Sequence, residues 1–169
     1  MAYTMKAEGM EELSEMLSAL EEKAPAVAAR ALYEGAGIMA GAVNEAAAAI
    51  KTEPFKWAAR SRGETRLPSP EEKEIVMTAA AGIAKFDRNG SEVETSVGFK
   101  NAGYAQLKGK MVPIPVIVNS INSGTSFMRK QPFVRKAASG ASNRAIEAMQ
   151  KRIEEEFEAI GKQYSAHMK

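Results

Sequence analysis

The residue types best suited to chemistry crowd into residues 120–137, which read "SINSGTSFMRKQPFVRKA". A Gly-Thr-Ser step followed by cations is raw material for a phosphate cradle, because main-chain amides, a hydroxyl and a basic side chain can converge on one anion. A Walker loop, however, needs a second glycine and a Lys-Ser/Thr pair so that lysine and hydroxyl meet the phosphates and Mg²⁺. "SGTSFMRK" has neither. Arg129, Lys130, Arg135 and Lys136 make a better case for contact with a nucleic-acid backbone, with the dipole of a helix starting at Pro132 adding to their charge. Phe133 and Val134 in the first turn of that helix, beside Phe127 and Met128, point elsewhere. They read as apolar anchors, either of a docking surface or of the fold's own core.

Little else in the chain is reactive. The single histidine, His167, stands two residues from the end, where a Ser-His-Asp or Cys-His arrangement is not expected. The absence of cysteine removes disulfides, thiolate zinc sites and cysteine nucleophiles, which fits a reducing cytosol. "DRNG" at 87–90 opens like a calcium loop, but the acids that should follow at loop spacing are missing, so a hairpin turn is the better reading. The carboxylates lie mostly on helix faces and read as solvated rather than as paired acids for glycoside chemistry. No catalytic residue, metal or cofactor is expected, and the chain is expected not to be an enzyme.

The totals set further bounds. A chain of 169 residues supports one domain with a real core. Its net charge of +2 arises from 23 basic and 21 acidic side chains, so any nucleic-acid role must rest on a local patch. The start, "MAYTMKAEGMEEL", lacks the apolar core of a signal peptide, so export by that route is not expected. The apolar stretch "GAGIMAGAVN" is bounded by Glu34 and Glu45, short of the ~20 residues of a membrane span. Gly37 and Gly41 within it have GxxxG spacing, read here as tight packing in a core.

The elements that must position these residues follow from periodicity. Tyr3, Met5 and Ala7 alternate as a short strand, and Met10, Leu13, Leu17 and Leu20 then take helical spacing. Pro25 is read as opening a second helix that runs to about Lys51, with Leu32, Met39, Val43 and Ile50 on one face. Gly35, Gly37 and Gly41 each cost about 1 kcal/mol in a helix interior, which implies close approach of another backbone, within the fold or across a subunit contact.

Residues 52–70 carry three prolines, three arginines and the only tryptophan, and read as an extended arm or loop. Trp57 among Lys56, Arg60, Arg62 and Arg66 could stack on a base, or the arm could dock on a neighbouring protein. Ser69, Pro70, Glu71 and Glu72 spell a helix start. A hairpin follows, with Val93, Thr95, Val97 and Phe99 on one strand face. The segment 112–122 fits a strand or a short helix, and the helix is preferred, with Pro115 near its start and Gly124 at its stop. Ile146, Met149, Ile153, Phe157, Ile160 and Tyr164 mark a long C-terminal helix, expected to pack on the Leu32 and Ile50 face, with residues 165–169 as a disordered tail. The expected fold is α+β in a single domain, 1–169: a small antiparallel sheet, made of the N-terminal strand and a hairpin, against two long helices with one or two short ones.

The order of these pieces resembles the head-to-tail joining, or tail-completion, family of tailed-bacteriophage morphogenesis proteins. The resemblance rests on Gly124-Thr125, then Gln131-Pro132-Phe133, then Ala137 and a long helix. In front of these come the Leu-rich "MEELSEMLSAL", the Ala-rich helix ending near Pro54, "SVGF", and Tyr104-Ala105. Asn122-Ser123 departs from the acidic residue the family often carries before its Gly-Thr, and both the 52–70 segment and "QLKGKMVPIP" are longer than its usual plan.

The resemblance implies a structural virion protein of the neck or tail, synthesised in the bacterial host cytoplasm and acting without cofactor. It would form a homo-oligomeric ring, a hexamer being most plausible, between the head-closure or connector proteins and the tail-tube protein. DNA would be passing cargo only, and no membrane is involved. In such a protein Gly124 would end its element in a left-handed conformation, and Phe127 and Phe133 would anchor the turn. The alternative is a nucleic-acid-binding protein using the basic arm 51–66 and the basic turn 129–136.

Overall fold

The computed structural model of the protein describes residues 10–55, 62–89, 92–99 and 103–167. The chain is α+β, and the described residues form two long helices, two short ones and three two-stranded antiparallel pairs. The strand expected over 3–7 lies outside the described residues.

The first helix, α1, runs unbroken from Met10 to Ala48 with Pro25 inside it, so the two helices expected here are one. An interior proline leaves the Glu21 carbonyl without its donor and costs about 3 kcal/mol or more. Around it Ala24, Ala26, Ala28 and Ala29 have the highest helix propensity, and Val27 and Ala31 are buried. Continuous packing along α4, Phe133–His167, outweighs the local break. Residues 165–167 belong to α4 rather than to the expected tail.

The α1–α4 seam differs from the sequence reading in one respect. Ala141, Ala145 and Ile160 are buried, while Ile146 and Phe157 stay 47% and 41% exposed. Gly35 explains the rotation: a Cβ there would stand 2.7 Å from Met149 Cγ and 3.3 Å from the Ala145 carbonyl oxygen. The helices approach so closely at this point that only small residues and an adaptable methionine fit between them, and the larger side chains turn to the flanks. Gly37 and Gly41, the GxxxG pair, have nothing within 4 Å of a Cβ and face outward. The close approach inside the fold belongs to Gly35 instead.

Helix α2, Pro70–Ala79, begins as expected, with Ser69 as cap, proline in the first turn and a complete capping box to Glu72. A long hairpin follows in two ladders, β1 (Ala81–Ile83) with β4 (Val97–Phe99) and β2 (Asp87–Asn89) with β3 (Glu92–Glu94). Val93, Thr95, Val97 and Phe99 are half-buried between exposed neighbours, the expected alternation. The expected turn "DRNG" does not hold as such, because residues 87–89 form a strand in which Asn89 pairs with Glu92, and residues 90–91 lie outside the described residues.

A second hairpin joins β5 (Tyr104–Leu107) to β6 (Lys110–Pro113). Its two-residue turn, Lys108 at φ 50° and Gly109 at φ 77°, matches the right-handed twist of the strands. Both signals in the ambiguous segment are then used in succession: the strand ends at Pro113 and helix α3 takes Ile114–Ser123. The core gathers where α1, α2 and α3 meet, around Val43, Ile50, Val76, Ile117 and Ile121, with Phe133 closing it.

The glycines give a direct test by urea unfolding. Gly35→Val should destabilise by about 1–3 kcal/mol through overpacking against Met149 and the Ala145 carbonyl. Gly37→Ala and Gly41→Ala should each stabilise by about 0.5–1 kcal/mol, since their methyls enter open space on a helix.

Candidate functional site

Residues 124–133, the motif singled out in the sequence, pass through the meeting point of four elements. Gly124 ends α3 at φ 77° and ψ 169°, on the left-handed side as expected, in a conformation that only glycine adopts readily. A Cβ at this position would also stand 3.0 Å from the Lys130 nitrogen, so the residue is fixed twice over. Thr125 then closes a small loop: its hydroxyl accepts from the Met128 amide (3.0 Å) and the Phe127 amide (3.3 Å), and its own amide donates to the Met128 carbonyl (2.9 Å).

From there the segment is stitched to its surroundings. The Arg66 amide donates to the Phe127 carbonyl (3.0 Å) and the Arg129 amide to the Arg66 carbonyl (2.8 Å), a short parallel bridge. Gln131 fastens the end of α1: its Nε2 donates to the Lys51 carbonyl (2.9 Å) and its Oε1 accepts from the Lys51 amide (3.0 Å). Its own amide donates to the Ile121 carbonyl of α3 (2.8 Å). Asn122 Oδ1 accepts from the Val134 amide (3.2 Å) and so caps α4 from across the fold. Half-buried Pro132 serves as the last turn before α4, its carbonyl accepting from the Lys136 amide. Phe133, 6% exposed, meets Phe99 of β4 edge-on with ring centroids 6.3 Å apart. Phe133 thus anchors the turn against the sheet. Phe127 is half-buried beside it.

Arg66, which the sequence places in the basic arm, is in fact buried. Its guanidinium donates two 2.6 Å bonds to the Glu72 carboxylate and one of 3.0 Å to the Leu67 carbonyl, and it lies 4.9 Å from the Phe55 ring centre. Glu72 also accepts from the Ser69 amide at 2.7 Å. Burial pushes the Glu72 carboxyl up, but the Arg66 guanidinium and the Ser69 donors outweigh it and hold the group below its ordinary value of 4.5. The described ends of the 52–70 segment are thus tied to each other and to α2. The Glu53 amide donates to the Pro68 carbonyl (3.0 Å), and Glu53 Oε1 accepts from the Leu67 amide (2.7 Å).

Beside the seam lies a groove of about 490 Å³ between the β5–β6 hairpin, α3 and this loop. Phe55, Val112, Ile117, Phe127 and Met128 form its walls, the Arg66–Glu72 pair its inner end, and Lys108 and Lys110 its rim. Of the sequence-selected residues, Gly124, Thr125, Phe127, Gln131, Pro132 and Phe133 come together in the seam. Trp57 and Arg60 lie outside the described residues. Arg62 is exposed and pairs loosely with Glu64 at 3.4 Å. Arg129, Lys130, Arg135 and Lys136 are all exposed. The sequence reading missed Lys51, Glu53, Asn122 and the Arg66–Glu72 pair as members of the site; only Glu72 carried a local signal, as the third residue of a capping box.

Among the described residues, no group of three or more histidines or acids is placed to hold a metal ion, and no helix is long and apolar enough to cross a membrane. Comparison with family models, curated proteins and solved structures finds no match to the chain.

The buried pair sets an acid limb on stability. Because the folded Glu72 value is depressed, its contribution is complete above the ordinary carboxylate value and is lost as pH falls through the folded one. Glu72→Gln should lower stability at neutral pH by about 3–5 kcal/mol, leaving Arg66 buried without its counter-charge. It should also flatten the loss of stability below about pH 4.5, read by urea unfolding at a series of pH values. Replacing both partners by apolar residues of similar volume should recover most of the deficit.

Proposed function

We propose that the protein is a mechanical joint: a structural component of the head-to-tail joining or tail-completion kind, working in the virion neck as a homo-oligomeric ring between connector and tail tube. The observation that carries this reading is the seam itself. Gln131, Phe127 and Arg129 bond to the main chain of Lys51, Ile121 and Arg66 at the ends of neighbouring elements, and Asn122 beside them caps α4, which supports a strut rather than a reaction centre. Phe133 and Gln131 brace the ends of both long helices against α3 and β4, so force applied to one element passes to all of them. Support also comes from surface left uncovered by the fold: Tyr33, Tyr104, Met111 and Val116 are each more than half exposed.

The nucleic-acid reading keeps one observation in its favour. Arg129, Lys130, Arg135 and Lys136 are exposed, with no ion pair to them among the described residues. Arg66 is withdrawn from that reading by its pairing with Glu72.

Native mass spectrometry of the purified chain, alone and mixed with a tail-tube protein, tests the joint. A closed ring, hexameric on this reading, that binds the tube protein is the expected outcome. A monomer indifferent to the tube protein, together with DNA binding at near-physiological salt, would favour the alternative. Phe133→Ala should cost about 3–5 kcal/mol of stability and abolish ring formation, because it removes the brace between α4 and β4.

A further inference from the structure

We infer that the groove beside the seam is a docking site for a partner protein's extended segment that carries one bulky apolar side chain flanked by carboxylates. The inference rests on the reading of the chain as a docking protein and specifies what it holds.

The interior of the groove dictates an apolar guest. Its walls are carbon-rich, and its only charged groups at depth, Arg66 and Glu72, are already saturated by each other, by the Ser69 amide and by the Leu67 carbonyl. Besides the charged residues only Ser120 brings a polar side chain to the lining, so an entering polar group finds little to bond in exchange for its water. A space of about 490 Å³ takes an aromatic side chain with room to adjust.

The rim dictates the flanking charge. Lys108 and Lys110 straddle the tight turn at the hairpin tip, and both are exposed. No ion pair to Lys110 is found among the described residues. Lys108 reaches Glu71 at 3.1 Å through a pair of half-exposed side chains and stands 5.2 Å from the Phe55 ring centre. A pair so exposed is worth under about 1 kcal/mol and exchanges readily for a guest carboxylate.

Two features favour a chain over a free small molecule. Val116, 53% exposed, continues the apolar surface past the mouth of the groove. Among the described residues the ladder formed by β5 and β6 has two strands, so an extended segment can add main-chain bonds along an edge while its side chain fills the cavity.

The test is an amide-shift titration of the full-length, ¹⁵N-labelled protein with three capped pentapeptides: Glu-Glu-Phe-Glu-Glu, Glu-Glu-Ala-Glu-Glu and Lys-Lys-Phe-Lys-Lys. Saturable shifts centred on Val112, Val116 and Met128 are expected with the first peptide, and affinities at least about tenfold weaker with the other two. The exposed substitutions Lys108→Glu with Lys110→Glu, and separately Val116→Asp, should each weaken the first peptide by about tenfold or more while the remaining spectrum stays folded. Equal binding of the alanine or lysine peptide, shifts centred elsewhere, or no saturation at several millimolar would overturn the inference. Whether the chain co-purifies with assembled virions is scored separately. Its absence there with the peptide result intact removes the joint and leaves the groove, and the converse removes the groove alone.

Discussion

A connecting segment that runs through the interior must hand each main-chain donor and acceptor to a partner, because each one left dry and unpaired costs about 1–3 kcal/mol. Residues 124–133 lie partly inside, with Met128 and Phe133 buried and Ser126, Arg129 and Lys130 exposed, and the buried Met128 has both its amide and its carbonyl paired without belonging to any sheet. They borrow partners from the end of α1, from the 52–69 loop and from the last turn of α3, and they receive the cap of α4 from Asn122. The arrangement makes the elements interdependent. α1 and α4 could pack on each other alone, but their angle to α3 and to the β1–β4 ladder is set where Gln131 grips Lys51 and Phe133 meets Phe99.

The Arg66–Glu72 pair belongs to the same constraint. Burying two charges removes more solvation than their attraction returns unless the geometry is very good, and an apolar pair of equal volume would stabilise as much or more. What the ion pair adds is direction. Glu72 caps α2 through Ser69 while it holds Arg66, and the Arg66 main chain is in turn the strand-like partner of residues 127–129. One carboxylate therefore fixes where α2 begins, how the loop returns, and where the seam runs. A planar guanidinium suits that task because its fork admits one orientation of the carboxylate.

What could be read in the sequence was what local rules decide. The capped start of α2, the alternating face from Val93 to Phe99, the helical period of α4 and the glycine at 124 each follow from propensity or steric necessity within a few residues. The misses have one cause, the neighbour supplied by distant chain. Pro25 looks like a boundary until α4 packs over the helix that contains it. Gly35, Gly37 and Gly41 are alike in sequence, and only the position of Met149 separates the one that is packed from the two that are open. Gln131 reads as a polar spacer because its partner, Lys51, stands 80 residues away. The groove as a whole could not be read, since its walls come from four separate stretches, although Phe127 and Met128 were already legible as apolar anchors.

The charges on α4 run against its dipole. Its first turn has no acid but carries Arg135 and Lys136, while Glu154, Glu155, Glu156 and Glu158 gather in the later half. Cations near a helix N-terminus cost about 0.3–1 kcal/mol each, so the helix must be held by other means. Packing on α1 supplies most of this, together with Asn122 at the N-terminus and the two-pronged Arg30–Glu156 contact that Arg152 joins from the next turn. The acids of the far half of α4 are answered locally, Glu155 by Lys151, Glu156 by Arg30 and Arg152, and Glu158 by Lys162, whereas Arg129, Lys130, Arg135 and Lys136 near the seam have no ion pair among the described residues.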